Sequence, residues 1–245
     1  MPIKFESPGQ VVRAAAVISV VAIGGITSAS ADIAGNIGLA TDYRFRGISQ
    51  TDRDPAVSGG FDFTAENGIY AGIWGSNISF GGSLELDYYA GYRGKINDDL
   101  GYDLGYIYYD YPSEESSEDL GYGELYASLS FSGFKAGVNY SSDYFAGTDP
   151  YWYLYGQYTR DIIDKVAVSA SVGYNAFDSS EAMASFLASE DDPGDDYVDW
   201  KVSVSTTWQG LSWSLAYVDT NLSKSDCGGT DICDATAVFS ITKSL

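Results

Sequence analysis

Between residues 33 and 245 the chain runs in short segments in which apolar side chains alternate with small or polar ones. In 165–175, Val166, Val168, Ala170, Val172 and Tyr174 share one side of the alternation, and Ala167, Ser169, Ser171, Gly173 and Asn175 the other. A period of two sends successive side chains to opposite faces of a β-strand. The rhythm returns at Val198, Trp200, Val202 and Val204 against Asp199, Lys201, Ser203 and Ser205, and at Leu84, Leu86, Tyr88 and Ala90 against Glu85, Asp87, Tyr89 and Gly91. With Gly, Pro, Asn and Asp clusters as breaks, it predicts about twelve strands. They span 33–46, 56–65, 69–80, 83–93, 100–111, 121–132, 134–143, 150–160, 165–175, 196–208, 211–222 and 235–245. One oily and one wet face per strand serves a soluble sandwich and a membrane barrel equally.

Connection lengths separate the two. Residues 66–68, 94–99, 132–133, 161–164 and 209–210 are short links, and they alternate with generally longer ones at 47–55, 112–120, 142–149, 177–195 and 223–234. Only 81–82 breaks the trend. Outer-membrane barrels have short periplasmic turns and longer outer loops, whereas a sandwich has no reason to sort its connections this way. The expectation is an all-β fold, a transmembrane antiparallel barrel with both termini in the periplasm. Within 177–195, residues 182–187 have the character of a helical turn or two ahead of an acidic run. A loop of that length either folds over or into the mouth, or stays solvated.

The start of the chain sets the compartment. Lys4 and Arg13 precede the apolar stretch 14–26 and the small-residue site Ala29-Ser30-Ala31, the pattern of a cleaved signal peptide. A membrane anchor would need ~20 apolar residues, and this stretch is shorter and interrupted by Gly24 and Gly25. The expected organisation is a signal peptide at 1–31 and a single barrel domain at 32–245. The 28 glycines and 21 tyrosines suit a curved sheet with aromatic girdles at the membrane interfaces.

Charge narrows the partners. Thirteen basic against 34 acidic residues give a net charge of −21, which disfavours nucleic acid and favours cations. There is no histidine, so neither a Ser-His nor an Asp-His arrangement can be built. Glu85 and Asp87 could do acid-base work, but i and i+2 carboxylates share a strand face wherever a lumen is polar. The chain is therefore read as no enzyme, with no cofactor implied. Asp191, Asp192, Asp195 and Asp196 lack the ordered spacing of a calcium loop and read as a solvated rim, so no metal site is assigned. Cys227 and Cys233, close together in a loop of an exported protein, read as a disulfide; the alternatives are free thiols or a metal pair, and two thiolates without histidine complete no usual zinc shell.

The most distinctive segment is 40–51. If Ile37, Leu39, Tyr43 and Phe45 face lipid, then Asp42, Arg44 and Arg46 point into the outer half of the barrel. Asp62, Glu85, Asp87, Asp103 and Glu124 fall on inward positions of nearby strands, so two arginines oppose an acidic wall. Such an arrangement either forms the constriction of a channel or pairs internally and plugs the barrel. Tyr89, Tyr109, Tyr111 and Tyr126 are weaker candidates for stacking on a sugar or base.

The run Asp42-Tyr43-Arg44-Phe45-Arg46-Gly47-Ile48-Ser49-Gln50-Thr51, followed by Asp54-Pro55-Ala56-Val57, Gly60-Phe61-Asp62, Gly68-Ile69-Tyr70-Ala71-Gly72, Trp74-Gly75-Ser76-Asn77 and Leu84-Glu85-Leu86-Asp87, resembles the TorF family of proteobacterial porins. The resemblance implies an outer-membrane barrel with a pore role and supplies no catalytic residue and no defined solute. The chain departs from common barrel practice in ending Ile241-Thr242-Lys243-Ser244-Leu245, without a terminal aromatic residue. The expected function is passive diffusion of small hydrophilic solutes, with cations favoured, across the outer membrane of a Gram-negative bacterium, amid its lipid and lipopolysaccharide. The rival is a closed structural or adhesive barrel whose loops do the work.

Overall fold

The computed structural model describes residues 31–112 and 120–245. The signal-peptide assignment at 1–31, apart from Ala31, and residues 113–119 of the loop expected at 112–120 lie outside the described residues. The elements in chain order are β1 (Ala31–Ala40), β2 (Arg44–Phe45), β3 (Ile48–Ser49), β4 (Ala56–Ala65), β5 (Ile69–Asn77), β6 (Leu84–Lys95), β7 (Leu100–Asp110), β8 (Tyr122–Phe131), β9 (Phe134–Ser141), β10 (Tyr151–Ile163), β11 (Val166–Phe177), α1 (Ser180–Leu187), β12 (Asp196–Trp208), β13 (Leu211–Thr220) and β14 (Thr236–Ser244). β1 and β4 to β14 form one closed antiparallel barrel of twelve strands, each beside its chain neighbour; β2 and β3 form a separate two-stranded ladder. β1 closes the ring, with Ala40 opposite Ser240 on β14 and opposite Ala56 on β4. Closure leaves no sheet edge and pairs the backbone around the ring.

Alternation sets the two surfaces. Outward positions such as Leu39, Val57, Phe61, Leu104, Leu125, Leu154, Val202 and Leu215 are exposed apolar side chains. An exterior of this kind is the inverse of a soluble protein's and matches hydrocarbon. Inward, the wall from β5 to β11 is tiled with tyrosines laid over glycines of the neighbouring strand. A Cβ on Gly72 would stand 2.2 Å from the Tyr89 ring, and one on Gly105 would stand 2.3 Å from the Tyr126 hydroxyl. This corrects the reading of the tyrosines as mainly interfacial girdles: Tyr70, Tyr89, Tyr109, Tyr122, Tyr151 and Tyr197 are buried inside. Glycine spares the space that a wide ring needs on a concave wall.

The first strand is also corrected. It stops at Ala40 instead of running to residue 46. The chain then turns into the barrel, where Arg46 and Gly47 both have positive φ, 47° and 86°. A Cβ on Gly47 would lie 2.3 Å from Thr220 Cγ2, so only glycine lets the loop seat against the wall. The short β2–β3 ladder is itself extended, which is why its alternation reads as a continuation of β1.

The two ends of the barrel differ. At one end the links are 66–68, 96–99, 132–133, 164–165 and 209–210; at the other lie 41–55, 78–83, 111–121, 142–150, 178–195 and 221–235. These are the turn end and the loop end. α1 caps the loop end. Its N-terminus is fixed by the Ser179 hydroxyl, which accepts from the Ala182 N–H at 3.2 Å. Its inner face buries Ala182, Met183 and Leu187, and Phe186 meets Tyr144, Phe145 and Phe177 with ring centroids 5.4, 5.8 and 5.3 Å apart. The helical turn anticipated at 182–187 thus forms and covers the mouth.

Candidate functional site

The inward loop 41–55 is built around Asp42. Its carboxylate accepts from Arg44 Nε at 2.5 Å, from the Ser49 hydroxyl at 2.6 Å and from the Thr51 hydroxyl at 3.2 Å. Residues 46–51 are all buried. Arg44 does not face the acidic wall as the sequence suggested. Beyond Asp42 it donates to the carbonyls of Gly47, Ile232 and Asp234 at 3.0, 2.7 and 3.2 Å, fastening the loop to the last loop of the chain. Arg53 donates to the Asp231 carbonyl at 3.0 Å, and the Ser49 N–H to that of Ile232 at 2.9 Å. The same last loop carries the Cys227–Cys233 disulfide, both cysteines buried.

Arg46 does reach the wall. Its Nη2 lies 2.7 Å from Glu124 Oε2, and the Glu124 side chain is 0% exposed. Its guanidinium also sits 4.3 Å from the Tyr153 ring centroid, 4.7 Å from that of Phe45 and 5.0 Å from that of Tyr151. Burial works against the charge on Arg46, yet Glu124 beside it holds its pKa above the ordinary value. The Asn139 amide donates to the same Glu124 oxygen at 2.9 Å. Tyr43 donates its hydroxyl to Glu85 at 2.7 Å; burial, then the charges of Glu85 and Asp87, push its own pKa up, so it stays a donor. Burial likewise pushes Tyr144 up to about 12, with Arg46 opposing.

The remaining residues singled out from the sequence sit on inward strand positions. Asp87 is buried near Glu85 on β6, and its Oδ1 has no hydrogen-bond partner among the described residues. Asp62 accepts from the Tyr89 hydroxyl at 3.3 Å, and Asp103 accepts from that of Tyr70 at 2.5 Å. Glu85, Asp87 and Glu124 surround the inward loop, while Asp103 faces the turn end. Tyr109 stacks on Tyr122 at 4.6 Å and meets Phe45 edge-on at 5.5 Å, so it grips the loop.

Below the loop lies a cavity of about 750 Å³. It runs from the turn at 96–99 to Ile107, Tyr109 and Asn139, and Tyr70, Tyr89, Tyr126 and Tyr155 line it with Arg93, Lys95, Asp103 and Lys135. The cations in this vestibule were not singled out in the sequence. Strand parity carries the signal: Arg93 continues the inward series of Glu85, Asp87 and Tyr89, and Lys135 alternates with Phe134 and Ala136. Lys201 and Asp199 are inward on β12 by the same rule.

Together these features define a closed ring of strands, tyrosine-lined within, with the inward loop 41–55 seated in its lumen at one end and a vestibule at the other. The chain belongs to the Gcw_chp family, bacterial proteins of unknown function, whose model matches residues 26–245. No curated protein sequence matches it. Among solved structures, the fold is similar to that of the KdgM porin, with a TM-score of 0.52 at 10% identity over 88% of this chain and 98% of that one. It is also similar to the NanC porin, with a TM-score of 0.51 at 11% identity over 86% and 98%. At these identities the likeness concerns the fold.

Proposed function

We propose that the protein is an outer-membrane channel of porin type, passing small hydrophilic solutes through a lumen whose constriction is the inward loop 41–55. The observation that carries this reading is the vestibule of about 750 Å³ inside a barrel with an apolar exterior: a wide polar interior serves solutes, and an apolar exterior serves lipid. The porin fold of the structural neighbours, the TorF-like motifs of the first third and the signal-peptide pattern at 1–31 all support it. On this reading the barrel sits in the outer membrane of a Gram-negative bacterium, among lipid and lipopolysaccharide, and does no catalysis. Small cations are favoured at low salt, because Glu85, Asp87 and Glu124 surround the constriction with Arg46 as their neighbouring cation, and the preference fades as salt screens them.

Planar-bilayer recording of the purified full chain tests the proposal. Discrete conductance steps, with a reversal potential in a KCl gradient on the cation side, are expected. A second reading is favoured by the buried Arg46–Glu124 pair and the α1 cap: a closed barrel that acts through its loops. Absence of steps from correctly folded protein would decide for it.

A further inference from the structure

The vestibule has a charge arrangement different from that of the rest of the lumen. Among the described residues the ion pairs within 4 Å are Arg44–Asp42, Arg46–Glu124 and Lys224–Asp231. None involves Arg93, Lys95 or Lys135, all of which line the cavity. Arg93 rests over the Tyr70 ring at 5.1 Å and donates to the Thr64 hydroxyl at 2.8 Å. Lys135 lies 5.8 Å from the Tyr155 ring centroid. The inward carboxylate nearby, Asp103, already accepts the Tyr70 hydroxyl, which also lies 2.5 Å from that of Tyr126. Asp98 and Asp99, in the exposed turn at the mouth, line the same chamber, and neither is within 4 Å of its cations. Two cations on strands β6 and β9 therefore line one chamber, each against a tyrosine ring, and among the described residues neither lies within 4 Å of a carboxylate.

We infer that this vestibule is a binding site for a small organic anion that carries hydroxyl groups on a saturated six-membered ring, with Arg93 and Lys135 holding its carboxylate and Tyr70 and Tyr155 meeting the C–H faces of that ring. Cations supply the charge-assisted hydrogen bonds. Tyrosine rings offer flat apolar faces, while Ser128, Ser130 and Asn139 offer hydroxyl and amide partners along the same wall. The site opens at the turn end, so it is accessible whether or not the loop end conducts. Its fate is thus separate from that of the channel reading.

Calorimetric titration of the folded full chain in detergent with D-glucuronate, D-glucose and benzoate tests it. Saturable glucuronate binding that weakens as salt is raised is expected, with glucose and benzoate each bound at least about tenfold more weakly, since one lacks the carboxylate and the other the hydroxyls. Arg93→Gln with Lys135→Gln should lower glucuronate affinity by about tenfold or more, and Lys201→Gln, a lumen cation outside the vestibule, should leave it unchanged. Heat-modifiable gel mobility reports folding; if the double variant fails it, Lys135→Gln alone carries the comparison. No glucuronate binding, equal affinity for glucose or benzoate, or an affinity untouched by loss of the vestibule cations would each overturn the assignment.

Discussion

The same strands make two unlike interiors. β6 carries Glu85 and Asp87 into the loop end, where both are buried, and Arg93 and Lys95 into the turn end, where both are exposed. β10 packs Tyr151 against Tyr144, centroids 3.9 Å apart, yet leaves Gln157 and Thr159 half-buried, their side chains bonded to each other and to Ser169. The strands supply a polar inward face at both ends. What differs is the connection. Long links at one end return chain into the lumen and bury it, whereas links of a few residues at the other have nothing to insert. Whether a barrel of this width is filled or open is thus decided by its loops.

The sharpest way to break this contrast is to unpair the loop end. Arg46→Ala leaves Glu124 wholly buried next to Asp87, with Asn139 and Tyr109 as its remaining partners. Loss of one partner of a buried pair costs about 3–5 kcal/mol. We expect that loss in denaturant unfolding, or, where the loop leaves the lumen instead, a marked rise in single-channel conductance. Adding Glu124→Gln should recover part of it. An Arg46→Ala protein unchanged in both stability and conductance would mean that the loop is not seated in the barrel.

The cap comes next. Met183 is 0% exposed beneath α1, and removing a buried methionine side chain costs about 2–3 kcal/mol where the surroundings partly relax. Met183→Ala should make the 178–195 segment sensitive to protease while the barrel strands stay protected. Equal protection in the parent and the variant would show that the helix does not depend on its inward face.

Much of this architecture is legible in the sequence, because in a barrel the period of two acts at every strand. The strands at 56–65 and 196–208 coincide with β4 and β12, and the sorted connections give the two ends. Legibility fails where extended chain is not part of the sheet. Residues 41–46 alternate like a strand because they form a small hairpin, and nothing local distinguishes a hairpin inside the lumen from one on the wall. The partner of Arg46 is an example of the limit: parity puts Glu124 inside, but pairing across 78 positions is a product of closure. Arg44 shows the converse, since its acceptors at residues 232 and 234 are backbone carbonyls, which no side-chain pattern marks. The vestibule cations obey parity, but parity alone does not set Arg93 and Lys135 apart from the more numerous acids.

A smaller effect is expected from the last loop. The Cys227–Cys233 bridge closes a short loop with a sequence separation of 6, for which chain-entropy reasoning gives about 2 kcal/mol. Its carbonyls hold Arg44, Arg53 and Ser49. Cys227→Ser with Cys233→Ser should therefore loosen the inward loop without unfolding the barrel, read as faster hydrogen exchange across 41–55 alone. Peptide mass spectrometry without reduction should show the bridge in the parent. Two free thiols there, or an exchange pattern that stays the same, would detach the disulfide from the loop it faces.

The smallest effect belongs at the turn end, and it is the one that most directly sharpens the contrast. Among the described residues Lys135 has no carboxylate within ion-pair distance, and it meets one ring at 5.8 Å, an interaction at a partly exposed site worth below about 1 kcal/mol. Lys135→Ala should therefore leave denaturant midpoint and heat-modifiable mobility nearly as in the parent, although Lys135 and Arg46 are both inward cations touching tyrosine. If the two substitutions cost the same, the vestibule would be a packed interior like the loop end. A near-silent Lys135→Ala beside a costly Arg46→Ala would instead place the difference where the loops put it, in the pairing and burial of the charge and not in the strand wall that presents it.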